Sequence, residues 1–169
     1  MRWVENYYEL IMCIGVGCAL IQLFISMLSI VRNNKREKKE ATLSAYLEVY
    51  NTIFSITHRL YRRFGYEKIP YCTIMDASEV ELFNDVKTLL NSYEHISTAT
   101  LLGIYDIKTL RRLYGVPMTC NWERLKEYVI RAREDVKDPT LYKDFETLII
   151  KMNRDRRKLW KFTHKTRRK

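Results

Sequence analysis

The chain has 169 residues, 47% of them hydrophobic and 30% charged, with a formal net charge of +10. This composition excludes a disordered chain, which lacks the apolar content to fold, and leaves room for one compact core plus accessories. Only five Gly and three Pro interrupt it. Apolar residues recur mostly three and four apart, which predicts an all-α protein.

Residues 1–9 read as a short external N-terminus, with Arg2 set against Glu5 and Glu9. Residues 10–31, LIMCIGVGCALIQLFISMLSIV, hold no charge. As a helix they would extend about 33 Å, enough to cross roughly 30 Å of hydrocarbon. A buried core helix would show a polar face, yet Gln22, Ser26 and Ser29 are the only strongly polar side chains. A cleaved signal peptide would need a basic start, a shorter apolar run and a small-residue cleavage site. The segment therefore reads as a transmembrane helix. Five basic residues follow it, Arg32, Lys35, Arg36, Lys38 and Lys39, in a collar over residues 32–40. The positive-inside rule then places everything after the span in the cytoplasm of a single-pass plasma-membrane protein, with Trp3, Tyr7 and Tyr8 at the outer interface. Gly15 and Ala19, four apart, allow close approach of a second helix, and Gln22 can hydrogen-bond across it, so a homodimer through the span is a candidate.

Residues 41–153 are expected to form a cytoplasmic helical domain, an up-down bundle of four helices with one short connector helix. Leu43, Leu47, Tyr50, Phe54, Thr57, Tyr61 and Phe64 form the core stripe predicted for the first helix, widened by Tyr46, Ile53 and Leu60. Gly65 stops that helix, and Pro70 to Asp76 reads as a loop. A second helix starts near Ser78, where Ser78 and Glu81 have capping-box spacing, and buries Val80, Phe83, Val86, Leu90 and Tyr93 before ending at Gly103. Asp106 caps a short helix through Tyr114, which Gly115 and Pro117 break. Asn121 caps the next, with Trp122, Leu125, Val129, Ala132 and Val136 inward. Asp138-Pro139 opens the last helix, with Leu141, Phe145, Leu148 and Met152 inward.

The run Asn91-Ser92-Tyr93-Glu94-His95-Ile96, with Gly103, Asp106, Trp122, Arg133 and the segment 138–148, resembles a bacterial domain-of-unknown-function family, number 4760 of that series. The resemblance covers most of the chain. It implies a single N-terminal span with a helical cytoplasmic domain, and no activity.

Candidate chemistry is sparse. His58, His95 and His164 lack metal-ligand spacing and read as surface or capping residues. Cys13, Cys18, Cys72 and Cys120 form neither a disulfide framework nor a zinc motif and read as buried or semi-buried thiols in a reducing compartment. No phosphate-binding loop or nucleophile elbow occurs, and no cofactor is expected. Glu94, Arg133 and Glu146 flank the apolar faces and are expected to form a structural polar network that holds helix register. Arg157 and His164 loosely match the Arg/His spacing of HEPN-type ribonucleases, which are also helical bundles.

Charge placement says more. Residues 41–153 balance 15 basic against 15 acidic side chains, whereas the tail 154–169 has nine basic residues against Asp155. A neutral body argues against a nucleic-acid groove across the folded domain. An up-down bundle would return the tail to the anionic leaflet. There Arg154, Arg156, Arg157, Lys158 and Lys161 meet lipid headgroups beside the collar, and Trp160 and Phe162 insert. The expected function is a non-enzymatic, membrane-tethered interaction or scaffold module with a cytoplasmic protein partner. The alternatives are a membrane-perturbing effector of a phage-defence or toxin system and a HEPN-like ribonuclease.

Overall fold

Long runs without a helix breaker, and apolar residues at three- and four-residue spacing, produce a chain built from helices. The computed structural model describes the backbone of residues 2–166 and the side chains of residues 15–154. The described residues form α1 (Arg2–Phe64), α2 (Tyr71–Ile74), α3 (Val80–Leu101), α4 (Ile107–Val136) and α5 (Lys143–Thr166), with no strand among them. The chain divides into two units, Met1–Lys38 and Lys39–Lys169.

In the first unit the described apolar side chains are exposed, Leu20 at 62% and Phe24 at 63%. They are not part of the buried core of this chain. This stretch of α1 is long and apolar enough to cross a membrane, by length and composition.

In the second unit the remaining part of α1 packs against α3 and α4. Near its C-terminal end Arg59 and Arg63 pair with Asp85 and Glu79 on α3. Farther back, Thr42 Oγ1 accepts from the Asp106 amide at the start of α4 (2.8 Å), and Asn121 reaches Thr57. These contacts run α1 and α4 in the same direction, with α3 antiparallel to both. The core lies between them, around Leu60, Leu89, Leu90, Tyr93, Met118, Leu125 and Phe145.

The buried face of α1 is not the expected one. Leu47 is 63% exposed and Phe54 57%, with Leu43, Tyr50 and Tyr61 also exposed, whereas Ile53 and Leu60 are buried to 2%. Apolar residues cover a wide arc of this helix. Periodicity identifies the arc, and only the neighbouring helices select which part of it faces them.

Helix ends show where local signals prevailed. Gly65 (φ 58°) and Gly103 (φ 77°) follow α1 and α3 in the left-handed conformation, as stop signals should. The Ser78–Glu81 capping box does not form. Ser78 Oγ instead donates to Asp76 Oδ1 (2.7 Å), and α3 starts from Glu79 without a side-chain cap. Val80, at the edge of the first turn, stays exposed. The segment expected to be a loop after Pro70 contains α2, the only short helix among the described residues, and Ile74 from it is buried.

The expected break at Gly115 and Pro117 does not occur either. α4 runs unbroken for 30 residues with Pro117 inside it. Proline here costs roughly 3 kcal/mol and removes one amide donor. Leu110, Tyr114, Met118, Trp122 and Leu125 bury one continuous stripe across that point. At about 1.5–3 kcal/mol each, their burial outweighs the break. Asn121 is accordingly a buried mid-helix residue and not a cap, while Val136 at the end of α4 is exposed. The Asp138-Pro139 pair does not open α5. Asp138 Oδ1 accepts from the amide and hydroxyl of Thr140 in a turn, and the helix begins at Lys143.

The predicted cap at Asp106 is present. Its carboxylate accepts from the amide and hydroxyl of Thr109, both at 2.8 Å. Burial works against its charge, but the Thr109 donors, with Lys39 and Lys108 nearby, hold the carboxyl below the ordinary carboxylate range. A depressed folded-state pKa contributes stability above the unfolded value and loses it as pH falls through the folded one. Asp106→Ala is expected to cost about 1 kcal/mol at neutral pH. The difference from the parent should shrink as pH drops below about 4, measured by denaturation at each pH.

Candidate functional site

Basic side chains at an interface act through exposure and position. Arg32, Lys35, Arg36, Lys38 and Lys39 are all exposed on α1, and Arg154 is exposed on α5. Gly15, Ala19 and Gln22 are exposed on α1 as well. The side chains of Arg156, Arg157, Lys158, Trp160, Lys161, Phe162 and His164 lie outside the described residues, as do those of Trp3, Tyr7, Tyr8 and Cys13.

The expected polar network divides into two clamps on the start of α5. Arg133 pairs with Glu146 at 2.9 Å and donates through Nε to the Leu141 carbonyl at 2.8 Å. Its buried Nη2 has no hydrogen-bond partner among the described residues. Glu94 joins neither residue. Its carboxylate accepts from the amides of Asp144 (3.2 Å) and Phe145 (2.8 Å), capping α5 from the side of α3. A carboxylate there satisfies donors that a helix start leaves unpaired and meets the positive end of its dipole. Thr98 adds a hydrogen bond to Asp144 (2.7 Å).

Two buried polar groups have partners that the sequence did not indicate. Asn121 Nδ2 donates to the Tyr93 hydroxyl (2.9 Å) and to Thr57 Oγ1 (3.2 Å), linking α4 to α3 and α1. Burial pushes the Tyr93 hydroxyl up to about 12, against the opposing effect of its bonds to Asn121 and Thr57. Arg124 is buried and donates to the carbonyls of Leu60 (2.9 Å) and Glu67 (3.3 Å). These accept at and just beyond the C-terminal end of α1, so Arg124 supplies a cap from a different helix, facing the negative end of the dipole. Burial lowers its pKa from the usual arginine value. A motif search passes over Arg124, which looks like an ordinary polar position on a long helix, and reads Asn121 as a helix cap.

Two clefts open beside α1 in the second unit. The larger, about 470 Å³, has a mixed lining that includes Glu48, Asn91, Ser92, His95 and Tyr105 beside Val49 and Ile96. The conspicuous Asn91–Ile96 run lies here. Its Asn, Ser and His line the cleft, while Tyr93 is buried in the core and Glu94 caps α5. Glu48 on α1 and His95 on α3 both line it. The smaller cleft, about 240 Å³, is largely apolar and includes Phe54, His58, Tyr61, Tyr66, Cys120 and Arg124. His58 stacks on Phe54 with ring centroids 6.1 Å apart.

No group of three or more His, Cys, Asp or Glu positioned to hold a metal ion occurs among the described residues. The thiols are less buried than expected: Cys18 and Cys72 are exposed and Cys120 is half-buried. Cys72 is exposed because it lies on the outer side of the one-turn helix α2, whose inward residue is Ile74.

A family described as Domain of unknown function (DUF4760) matches residues 9–152. No curated protein and no solved structure matches the chain.

Proposed function

The chain belongs to the DUF4760 family, and we propose that it is a membrane-tethered helical interaction module. In this reading residues 10–31 cross the bilayer, the collar Arg32 to Lys39 sits on the cytoplasmic face, and the unit from Lys39 onward docks a cytoplasmic protein. The observation that carries it is the exposure of the apolar side chains from Val16 to Val31, followed at once by five basic residues. In water such a surface is costly, at about 25 cal/mol per Å². Hydrocarbon removes that cost, and the charge step selects the orientation.

The test is topology. The full chain should stay with the membrane on alkaline carbonate extraction. Fused after Lys169, alkaline phosphatase should be inactive and a fluorescent reporter bright. Active phosphatase would reverse the orientation, and extraction into the soluble fraction would remove the tether.

The tail extends the same reading. The tail, residues 154–169, has nine basic residues against Asp155, and in this reading it meets the same anionic leaflet as the collar. At roughly 1 kcal/mol per basic residue near an anionic surface, a few engaged side chains suffice for binding. A fragment starting at Lys39 is expected to sediment with anionic but not neutral vesicles. Changing Arg154, Arg156, Arg157, Lys158 and Lys161 together to Gln should abolish this without altering helicity. Equal sedimentation with both vesicle types would remove the electrostatic account.

A further inference from the structure

The apolar arc that α1 leaves outside the core has an order of its own. Leu43, Leu47, Tyr50, Phe54, Thr57, Tyr61 and Phe64 alternate by four and three, the spacing of a left-handed coiled-coil seam. The bundle uses a face centred on Ile53, Ile56 and Leu60, about a quarter-turn away around the helix, which draws in Phe64 against the core and Thr57 to Asn121, so the exposed positions of the stripe are Leu43, Leu47, Tyr50, Phe54 and Tyr61. On the exposed face Tyr50 and Phe54 stack at 5.5 Å, Phe54 and His58 continue the ladder, and Tyr46 leads into it at 5.2 Å from Tyr50. Beside the lower part of the stripe Tyr66 and Val116 are exposed as well, at 76% and 69%. A water-facing patch this apolar marks an interaction surface.

The sequence itself indicates what covers it. Counted backward from Leu43 in the same alternation, the register passes Glu40, Arg36 and Asn33 and then falls on Ser29, Ser26, Gln22, Ala19 and Gly15. All three strongly polar side chains of the apolar segment occupy this register, together with a glycine and an alanine. Small and hydrogen-bonding residues drive helix association in lipid, where apolar side chains give no net attraction for one another. Large apolar residues drive it in water. One register therefore has the composition suited to association in each solvent, and the change falls at the basic collar.

We propose that α1 pairs with α1 of a second copy of this chain, parallel and in register, through the exposed positions Leu43, Leu47, Tyr50, Phe54 and Tyr61. The inference rests on the tether reading. Two copies anchored in one membrane have the same orientation and a raised effective concentration, so each layer of the seam meets its own counterpart. A 3.5-residue alternation over three heptads fits a partner helix of matching period.

Cysteine cross-linking of the full chain in its own membranes tests this, in a background where Cys13, Cys18, Cys72 and Cys120 are replaced by Ser. Leu43→Cys, Leu47→Cys, Tyr50→Cys and Phe54→Cys should give an adduct of twice the chain mass under mild oxidation. Glu48→Cys, Thr52→Cys and Ser55→Cys, exposed on other faces, should give several-fold less. Leu47→Glu with Phe54→Glu should eliminate the dimer in detergent while leaving the circular dichroism spectrum unchanged, because both positions lie outside the core. A flat pattern along the helix, or adducts only of other masses, would overturn the self-pairing. Carbonate extraction of the same samples separates the two ideas: protein retained in the membrane with a flat pattern defeats the seam alone, and protein released from it defeats the tether.

Discussion

Leu90→Asp is expected to unfold the helical unit. Leu90 lies near the middle of α3, fully buried, one turn before Tyr93. The substitution loses about 2–3 kcal/mol of side-chain burial and places a carboxylate where the penalty for an unpaired ion is several kcal/mol. Together these approach the 5–15 kcal/mol that typically separates a folded domain from its unfolded state. Such a site favours the protonated acid, so the introduced carboxyl has a raised folded-state pKa and its destabilisation should ease as pH falls toward about 4. Leu90→Ala should cost less, about 2–5 kcal/mol, without that pH dependence. Far-UV circular dichroism melts of the full chain in detergent at two pH values would check both. A cooperative melt for Leu90→Asp matching the parent would show that α3 is not the centre of the core.

Arg124→Ala should be the most damaging change to a charged residue among those described. The guanidinium makes two hydrogen bonds to main-chain carbonyls at the end of α1, and no salt bridge to it is present among the described residues. Removing it leaves the Leu60 and Glu67 carbonyls without this donor, at about 1–3 kcal/mol for each that stays dry. The expected loss is about 2–5 kcal/mol. Arg124→Lys should recover only part of it, because an ammonium does not reproduce the planar fork that reaches both carbonyls. Arg59→Ala is the control. Arg59 pairs with Asp85 through both Nε and Nη2, but its side chain is 48% exposed, and such pairs contribute about 0–1 kcal/mol. Equal losses for Arg59→Ala and Arg124→Ala in chemical denaturation would contradict the cap.

Much of the architecture was legible from local patterns. Gly65 and Gly103 stop helices because their positive φ suits glycine, and Asp106 caps α4 because a short acceptor reaches its own first turn. Ser78 fails as a cap because its amide and hydroxyl both donate to Asp76, two residues before it, in a local turn. The candidate site was harder to read. Glu94, Arg133 and Glu146 were expected to share one network, yet Glu94 caps a helix 50 residues farther along the chain, a pairing that no spacing rule contains.

The sequence alone determined the helical class, the apolar segment at residues 10–31, the basic steps beside it and the family, because each depends on composition or on neighbours within a few turns. The tertiary structure decided which arc of α1 is buried, whether Pro117 breaks a helix, and where Asn121 and Arg124 find partners. These outcomes depend on competition. A continuous buried stripe outweighs one lost amide donor, and of two apolar faces on the same helix the bundle covers the one its neighbours can pack against. Both comparisons involve residues far apart in the chain, so the local pattern poses the alternatives and only the packed neighbours choose between them.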